Sequence, residues 1–121
     1  YTKLMLQMSC EYCCGAPSIV FENGQAACGC QHSFAMRGVG KYLVSKHGAE
    51  FTDQQILEEV GKWKVLFFPK PVLTKALDFA SAGKDLNVVD LTSNKFRGFT
   101  AASSGGAGTD ASGLADQVGG C

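Results

Sequence analysis

The chain has 121 residues, of which 45% are hydrophobic and 18% are charged, against a charged share of roughly 25% in ordinary globular domains. Eleven basic residues balance eleven acidic ones and no run of like charge occurs, so nucleic acid and anionic membrane surfaces are not expected partners. The longest apolar runs are also far shorter than the roughly 18 residues that a membrane span needs. We therefore expect one domain with no direct membrane span.

The six cysteines are the most informative feature of the composition. Such a high and even number is typical of an oxidising compartment or of a metal site. The chain also begins with Tyr1 instead of Met, which we interpret as the result of signal removal. The sequence thus predicts an exported protein, which could be extracellular, at the cell surface or periplasmic.

Two units are predicted along the chain. Residues 1–98 should form a cysteine-rich hairpin followed by a helical domain. Residues 99–121 are rich in Gly, Ser and Ala, with six glycines between Ser103 and Cys121, and should form an extended C-terminal arm.

The N-terminal third carries β-strand signals. Leu4, Leu6 and Met8 alternate with other residues, as in a half-buried strand. Further on, Asn23-Gly24 lies between two β-prone runs, which is the strongest short signal for a β-hairpin.

The middle of the chain predicts helices. The first covers about 33–47, with Gly48 after it, and glycines at 38 and 40 indicate close packing against a neighbour. The second starts at Thr52 with a capping box and ends before Pro69, and a third follows with Pro71 in its first turn. A short β-like segment is expected at 87–91. The predicted fold class is α+β, with a zinc-ribbon-like knuckle packed on two or three helices.

Five side chains are candidate metal ligands. Cys10 and Cys13 form one close pair before the hairpin, and Cys28 and Cys30 form another after it, which is how zinc ribbons build a tetrahedral site. If residues 28–32 are extended, His32 joins the second pair on one face of the strand. Zinc is the expected metal, and the same donors also suit an iron–sulfur cluster or Cu(I).

Two other kinds of cysteine chemistry stay open. The cysteines could form disulfides alone, with Cys14 and Cys121 as cross-linking residues within or between chains. Alternatively, Cys28 and Cys30 could be a thiol–disulfide exchange pair, because Cys30 lies just before a predicted helix start.

Three segments of the chain resemble two groups of proteins. The segments are Cys28–Gly38, the capped helix start Thr52–Val60 and the apolar ending Leu66–Pro69. One is the periplasmic thiol reductases of cytochrome c maturation. The other is the small exported metal-binding proteins with a Pro-Cys-Tyr-Cys-Gly-Cys motif, to which Glu11–Gly15 is related. The resemblance implies an exported protein that handles metal or exchanges disulfides.

The C-terminal arm predicts assembly with further copies or other subunits. Large aromatics are the candidate anchors, and the arm itself offers two apolar side chains; the predicted interface comprises Phe67, Phe68, Phe96, Phe99, Leu114 and Val118. The predicted function is an exported, non-enzymatic structural subunit, stabilised by metal and assembling into an oligomer or filament. The alternatives are a periplasmic thiol–disulfide oxidoreductase or metal-handling protein, and an accessory subunit of a membrane-associated complex.

Overall fold

A computed structural model describes residues 1–9, 11–12, 15–97 and 118. This part of the chain is mostly helical, with 60% helix, 4% strand and neither a sheet nor a β-hairpin. The predicted α+β class is therefore wrong. The helices are α1 (Thr2–Met5), α2 (Gln31–His47), α3 (Asp53–Phe67), α4 (Pro69–Ser81) and α5 (Val88–Thr92), followed by a 3₁₀ turn at Asn94–Phe96. Among the described helices, none combines the length and the hydropathy needed to cross a membrane.

The predicted hairpin is reduced to a turn with one β-bridge. Gly24 has a φ of +84°, as an Asn-Gly turn requires, and Val20 pairs with Ala26 in an isolated antiparallel bridge. The pairing goes no further because Ile19 and Val20 are both buried, at 0% and 1% exposure. Successive strand residues point to opposite faces, so a segment that buries two neighbours in one core does not continue as a half-buried strand.

Two other segments predicted as β are helical. Residues 2–5 form α1, which buries Leu4 and Met5, whereas the buried Met8 lies beyond this helix and pairs with Ser93 in an isolated antiparallel bridge. The β-like segment at 87–91 is replaced by α5. Its N-cap is Asn87, whose side-chain oxygen accepts a hydrogen bond from the backbone N–H of Asp90 at 2.9 Å.

The three main helices confirm the sequence-based predictions with small changes of boundary. In α3 the Thr52 side chain accepts from the Gln55 backbone, and the Gln55 side chain accepts from the Thr52 backbone, so the capping box is complete. Helix α4, the third of the predicted helices, starts at Pro69 instead of near Pro71, because proline is well suited to the first helical position.

Two hydrophobic clusters hold these helices together. The larger lies between α1, α2 and α3 and includes Met5, Ile19, Met36 and Val60. Gly40 of α2 packs there against the Met5 side chain, as predicted. At Gly38, by contrast, a side-chain Cβ would meet nothing within 4 Å. The smaller cluster joins the end of α3 to α4 and α5 and consists of Phe68, Val72, Phe79 and Leu91.

Candidate thiol and histidine site at the start of α2

Three chain segments meet at Phe67 and Phe68, which we call the α3–α4 corner. The His32 ring lies 4.7 Å from the Phe67 ring and 4.9 Å from the Phe68 ring, measured between centroids. From another segment, the Tyr12 ring lies 5.8 Å from Phe68. From a third, the backbone N–H of Val118 donates to the carbonyl oxygen of Phe67 at 2.7 Å.

These three contacts matter because the same segments carry all six cysteines. Tyr12 lies within the segment 10–14, which holds three of them, and His32 ends the segment 28–32, which holds two. Val118 stands three residues before the sixth, Cys121. Each cysteine-bearing segment therefore has a described residue in contact with the α3–α4 corner.

Cys30 is the N-cap residue of α2. Its backbone is extended, at φ −74° and ψ 157°, and its Sγ accepts a hydrogen bond from the Ser33 backbone N–H at 3.4 Å. The N-terminus of a helix favours negative charge, so this sulfur occupies a position that suits a thiolate. Cys28 is buried, at 8% exposure, whereas Cys30 is half-buried, and neither forms a disulfide with another described residue.

The predicted extended face over residues 28–32 is wrong. Helix α2 begins at Gln31, so His32 is helical and does not continue an alternation from Cys28 through Cys30. Within the described ranges, no three His, Cys, Asp or Glu side chains are grouped so that they could hold a metal ion.

His32 has an unusual environment for a histidine. It is 2% exposed, and its Nε2 lies 2.5 Å from the carbonyl oxygen of Val118. A carbonyl oxygen can only accept, so Nε2 carries the hydrogen, and in the neutral ring Nδ1 is left with a lone pair. That Nδ1 is buried and has no hydrogen-bond partner in the described structure. A buried nitrogen lone pair in this position can bind a hydrogen-bond donor or a metal ion.

A buried charged cluster fixes the segment that carries the first three cysteines. The Glu11 carboxylate lies 3.0 Å from the Lys64 ammonium and 3.1 Å from the Lys75 ammonium. The three side chains are 5%, 0% and 4% exposed, and Lys64 also donates to the Thr92 carbonyl oxygen at 2.7 Å. We call Glu11, Lys64 and Lys75 the charge clamp.

The pKa values of Glu11 and of the neighbouring Tyr12 are shifted in opposite directions. Burial works against ionisation of Glu11, but the charges and hydrogen bonds of Lys64 and Lys75 outweigh it and hold the pKa below its ordinary value of 4.5. Burial, aided by the Glu11 charge, raises the pKa of Tyr12. The Tyr12 ring lies near both ammonium groups, 5.3 Å from Lys64 and 5.5 Å from Lys75. The clamp therefore holds an ionised Glu11 and a neutral Tyr12 between Cys10 and Cys13.

The charge clamp was not predicted from the sequence. Lys64 and Lys75 lie 53 and 64 residues after Glu11, so no local motif joins the three residues. A weak signal existed, because each lysine lies on the apolar face of its helix. Lys64 is four residues after the buried Val60, and Lys75 is three residues after the buried Val72.

The remaining predicted residues are distributed over several environments. Phe68 is buried, Phe67 and Phe96 are half-buried, and Val118 is 45% exposed. Phe96 stacks edge-on against Phe79, with 5.1 Å between centroids. Six predicted residues lie outside the described ranges, namely Cys10, Cys13, Cys14, Phe99, Leu114 and Cys121. Assembly with other subunits through the arm stays a prediction.

One open cleft lies away from this site. It has a volume of about 410 Å³ and lies between the Asn-Gly turn and α2, lined by residues that include Phe34, Arg37 and Lys41. Arg37 donates to the carbonyl oxygen of Cys28 at 2.8 Å. This arginine therefore ties the cysteine segment to α2.

Comparisons of the chain with protein-family models, with curated proteins and with solved structures find no match. Its function is accordingly inferred from the geometry around Cys30 and His32.

Proposed function

We propose that this protein is an exported, non-enzymatic structural module that binds one thiophilic metal ion, zinc in the first place, at the start of α2. The observation that carries the proposal is the buried Nδ1 of His32, which has no hydrogen-bond partner among the described residues and lies two residues after the half-buried Cys30.

Two contacts of His32 support a role as a metal ligand. Such histidines almost always donate their other ring N–H to a carboxylate, a backbone carbonyl or water, which fixes the tautomer and the orientation of the ring. The Val118 carbonyl fills that role here. The His32 ring is further held between Phe67 and Phe68, so its ligand nitrogen has a defined position.

The thiolate of Cys30 is the second ligand in this proposal. The N-terminus of α2 and the Ser33 N–H both stabilise negative charge on its sulfur. The further ligands in this proposal come from other segments. One of these is the segment 10–14, in which Tyr12 contacts Phe68 and Glu11 pairs with Lys64 and Lys75. The proposal leaves out Cys28, which packs in the larger hydrophobic cluster.

The first experiment measures bound metal by elemental analysis and zinc affinity by competition with a chromophoric chelator. We expect one ion per wild-type chain, and an affinity lowered at least tenfold in His32→Gln and in Cys30→Ser. His47→Gln is the matched control for the histidine, because His47 lies at the other end of α2 and pairs with Glu50 near the surface. Cys28→Ser is the control for the cysteine.

Circular dichroism of each variant separates loss of metal from loss of fold. Wild-type protein that binds no metal and has all six cysteines oxidised contradicts the proposal. Full zinc affinity in His32→Gln contradicts it as well.

Thiol–disulfide exchange is the second candidate function, and the N-cap position of Cys30 favours it. In that reaction the Cys30 thiolate attacks a substrate disulfide and Cys28 resolves the mixed disulfide, so the substrate is reduced and the pair is oxidised. A thiol reductant then restores the pair. Reduction of insulin by the wild-type protein with dithiothreitol, lost in both Cys30→Ser and Cys28→Ser, would favour this function over metal binding.

A further inference from the structure

The cleft between the Asn-Gly turn and α2 combines aromatic rings with positive charge. Tyr1 and Phe34 supply the rings, Arg37 and Lys41 supply the charges, and no acidic side chain lines the cleft within the described residues. Its volume of about 410 Å³ lies in the range of about 300–1,000 Å³ that is usual for small-molecule sites. A lining of this kind attracts an anion that also carries a flat ring.

Helix α2 places its part of the lining on one face. Phe34, Gly38 and Lys41 are four and three residues apart, which is the spacing of one helix face, and Arg37 lies at the edge of that face. The Arg37 Cζ atom lies 5.9 Å from the centroid of the Phe34 ring. The Lys41 ammonium lies 5.8 Å from the centroid of the Tyr1 ring. Each cation is therefore next to one of the two rings.

Neither cation is paired with a carboxylate in the part of the chain that the structure describes. The hydrogen bonds of Arg37 all go through Nη1, whose acceptors are oxygen atoms of Ile19, Cys28 and Ser33. These bonds fix the guanidinium, while Nε and Nη2 have no partner among the described residues and can still donate to an anion. Lys41 is exposed. Two positive charges therefore face the cleft without compensation from the described chain.

Gly38 gives the cleft an open floor. A Cβ at this position would meet nothing within 4 Å, so packing within the described structure does not require glycine here. Glycine is nevertheless less favourable than alanine in the interior of a helix. A residue without a side chain lets a ligand approach the backbone closely. Access of a ligand to this face of α2 thus gives the glycine a reason that packing does not.

We propose that this cleft binds a small phosphate monoester that carries an aromatic ring, with the ring against Phe34 and the phosphate on Arg37 and Lys41. A phosphate monoester fits because it carries close to two negative charges near neutral pH, one for each cation. Arginine and lysine are also the side chains best suited to hold phosphate. This inference goes beyond the proposed function, since neither Cys30 nor His32 lines the cleft.

Tyr1 adds a neutral donor to the same cleft. Burial raises the pKa of the Tyr1 hydroxyl, and the nearby positive charge of Arg37 offsets only part of this shift. The hydroxyl is therefore uncharged near neutral pH and can donate a hydrogen bond to a phosphate oxygen without repelling it.

The test titrates the full chain with phenyl phosphate by isothermal titration calorimetry. Inorganic phosphate offers the charge alone and benzyl alcohol the ring alone. We expect phenyl phosphate to bind at least about tenfold more tightly than either, because only it engages both the ring and the cations. Adenosine monophosphate is the second aromatic phosphate: tighter binding than phenyl phosphate indicates a nucleotide, and weaker binding indicates a simple aryl phosphate. The affinity should be the same with added zinc, because neither proposed metal ligand lines the cleft.

Substitution of the cations tests where the phosphate binds. Lys41→Gln should weaken phenyl phosphate binding about tenfold, as loss of a hydrogen bond between charged groups does. Lys46→Gln is the matched control, since Lys46 is an exposed lysine of α2 outside the lining, and its affinity should stay within about twofold of the wild type. Arg37→Gln should weaken binding as well, and circular dichroism shows whether this variant, which loses the bond to Cys28, keeps the fold.

Two further variants keep both charges. Gly38→Leu starts its side chain in open space, so it should fold, but it fills the floor of the cleft and should weaken binding at least about tenfold. Phe34→Ala removes the exposed ring and should weaken binding about two- to tenfold. Phe21→Ala is its control, because Phe21 is 57% exposed and lies outside the lining.

Several results would overturn the proposal. Unchanged affinity in Lys41→Gln or in Gly38→Leu would place the phosphate elsewhere on the molecule. Inorganic phosphate or benzyl alcohol that binds as tightly as phenyl phosphate would remove the need for a combined site. Binding that requires zinc would place the phosphate on the metal, and no binding of either aromatic phosphate at millimolar concentration would leave the cleft without its ligand.

Discussion

Replacing Glu11 by glutamine should be the most damaging single change in the charge clamp. The substitution keeps the size of the side chain but leaves the ammonium groups of Lys64 and Lys75, 0% and 4% exposed, without the carboxylate that lies within 3.1 Å of both. Breaking a buried ion pair by removing one partner costs about 3–5 kcal/mol, because a buried charge loses its compensation. That loss is a large part of the 5–15 kcal/mol that stabilises an ordinary domain.

Two further variants locate the cause of this loss. Glu22→Gln changes an exposed carboxylate at the Asn-Gly turn and should alter stability by less than about 0.5 kcal/mol. Lys75→Met keeps a long apolar side chain and leaves one carboxylate facing one ammonium, so it should cost less than Glu11→Gln. Urea denaturation followed by circular dichroism gives the free energy of unfolding of each variant.

The pH dependence identifies the charge directly. Because the folded pKa of Glu11 lies below 4.5, its contribution is fully present above that pH and is lost as the pH falls through the folded pKa. The difference in unfolding free energy between the wild type and Glu11→Gln should therefore be constant near neutral pH and shrink in acid. A loss below about 1 kcal/mol, a loss smaller than that of Lys75→Met, or a difference independent of pH would refute this reasoning.

Three other predictions follow from the fold and the site. A methyl group at Gly61 would meet the Thr92 hydroxyl and lie 2.8 Å from a Val88 methyl, so Gly61→Ala should lower the free energy of unfolding by about 1–3 kcal/mol, measured by urea denaturation. A methyl group at Gly38 meets nothing within 4 Å, so Gly38→Ala should raise it by up to about 1 kcal/mol. Because the pKa of Tyr12 is raised, unfolding at alkaline pH should be easier in the wild type than in Tyr12→Phe. The stability that a neutral Tyr12 contributes is complete below its unfolded pKa near 10 and declines above it. Equal pH profiles of the two proteins above about pH 10 would contradict burial of this hydroxyl. Thr52→Ala should lower the stability by about 1 kcal/mol through loss of the capping box, and an unchanged urea midpoint would argue against that cap.

The features predicted correctly from the sequence depend on neighbouring residues. The capping box of α3 needs only Thr52 and Gln55, three residues apart, and the turn at Gly24 needs only an Asn-Gly pair. Such signals are complete within a few residues, so distant contacts do not alter them.

The predictions that failed depend on which residues the rest of the chain buries. Leu4, Leu6 and Met8 fit a strand period, but the neighbours Leu4 and Met5 are both buried in the larger cluster, and residues 2–5 form a helix. Similarly, the pairing across the Asn-Gly turn stops at one bridge because the core takes both Ile19 and Val20.

The candidate site shows the same division. The spacing of Cys30 and His32 named both as candidate ligands, and metal binding by them stays a prediction. The geometry of the site was not predicted, because Cys30 caps a helix and His32 depends on Val118, a partner 86 residues away. The charge clamp was missed for the same reason, since only the tertiary fold brings Glu11 to Lys64 and Lys75.

X-ray absorption spectroscopy at the zinc edge of the zinc-loaded protein examines the proposed site itself. We expect a four-coordinate shell that combines sulfur at about 2.3 Å with an imidazole nitrogen at about 2.0 Å, and loss of the imidazole contribution in His32→Gln but not in His47→Gln. A shell of oxygen and nitrogen alone, or an imidazole signal that persists in His32→Gln, would contradict it.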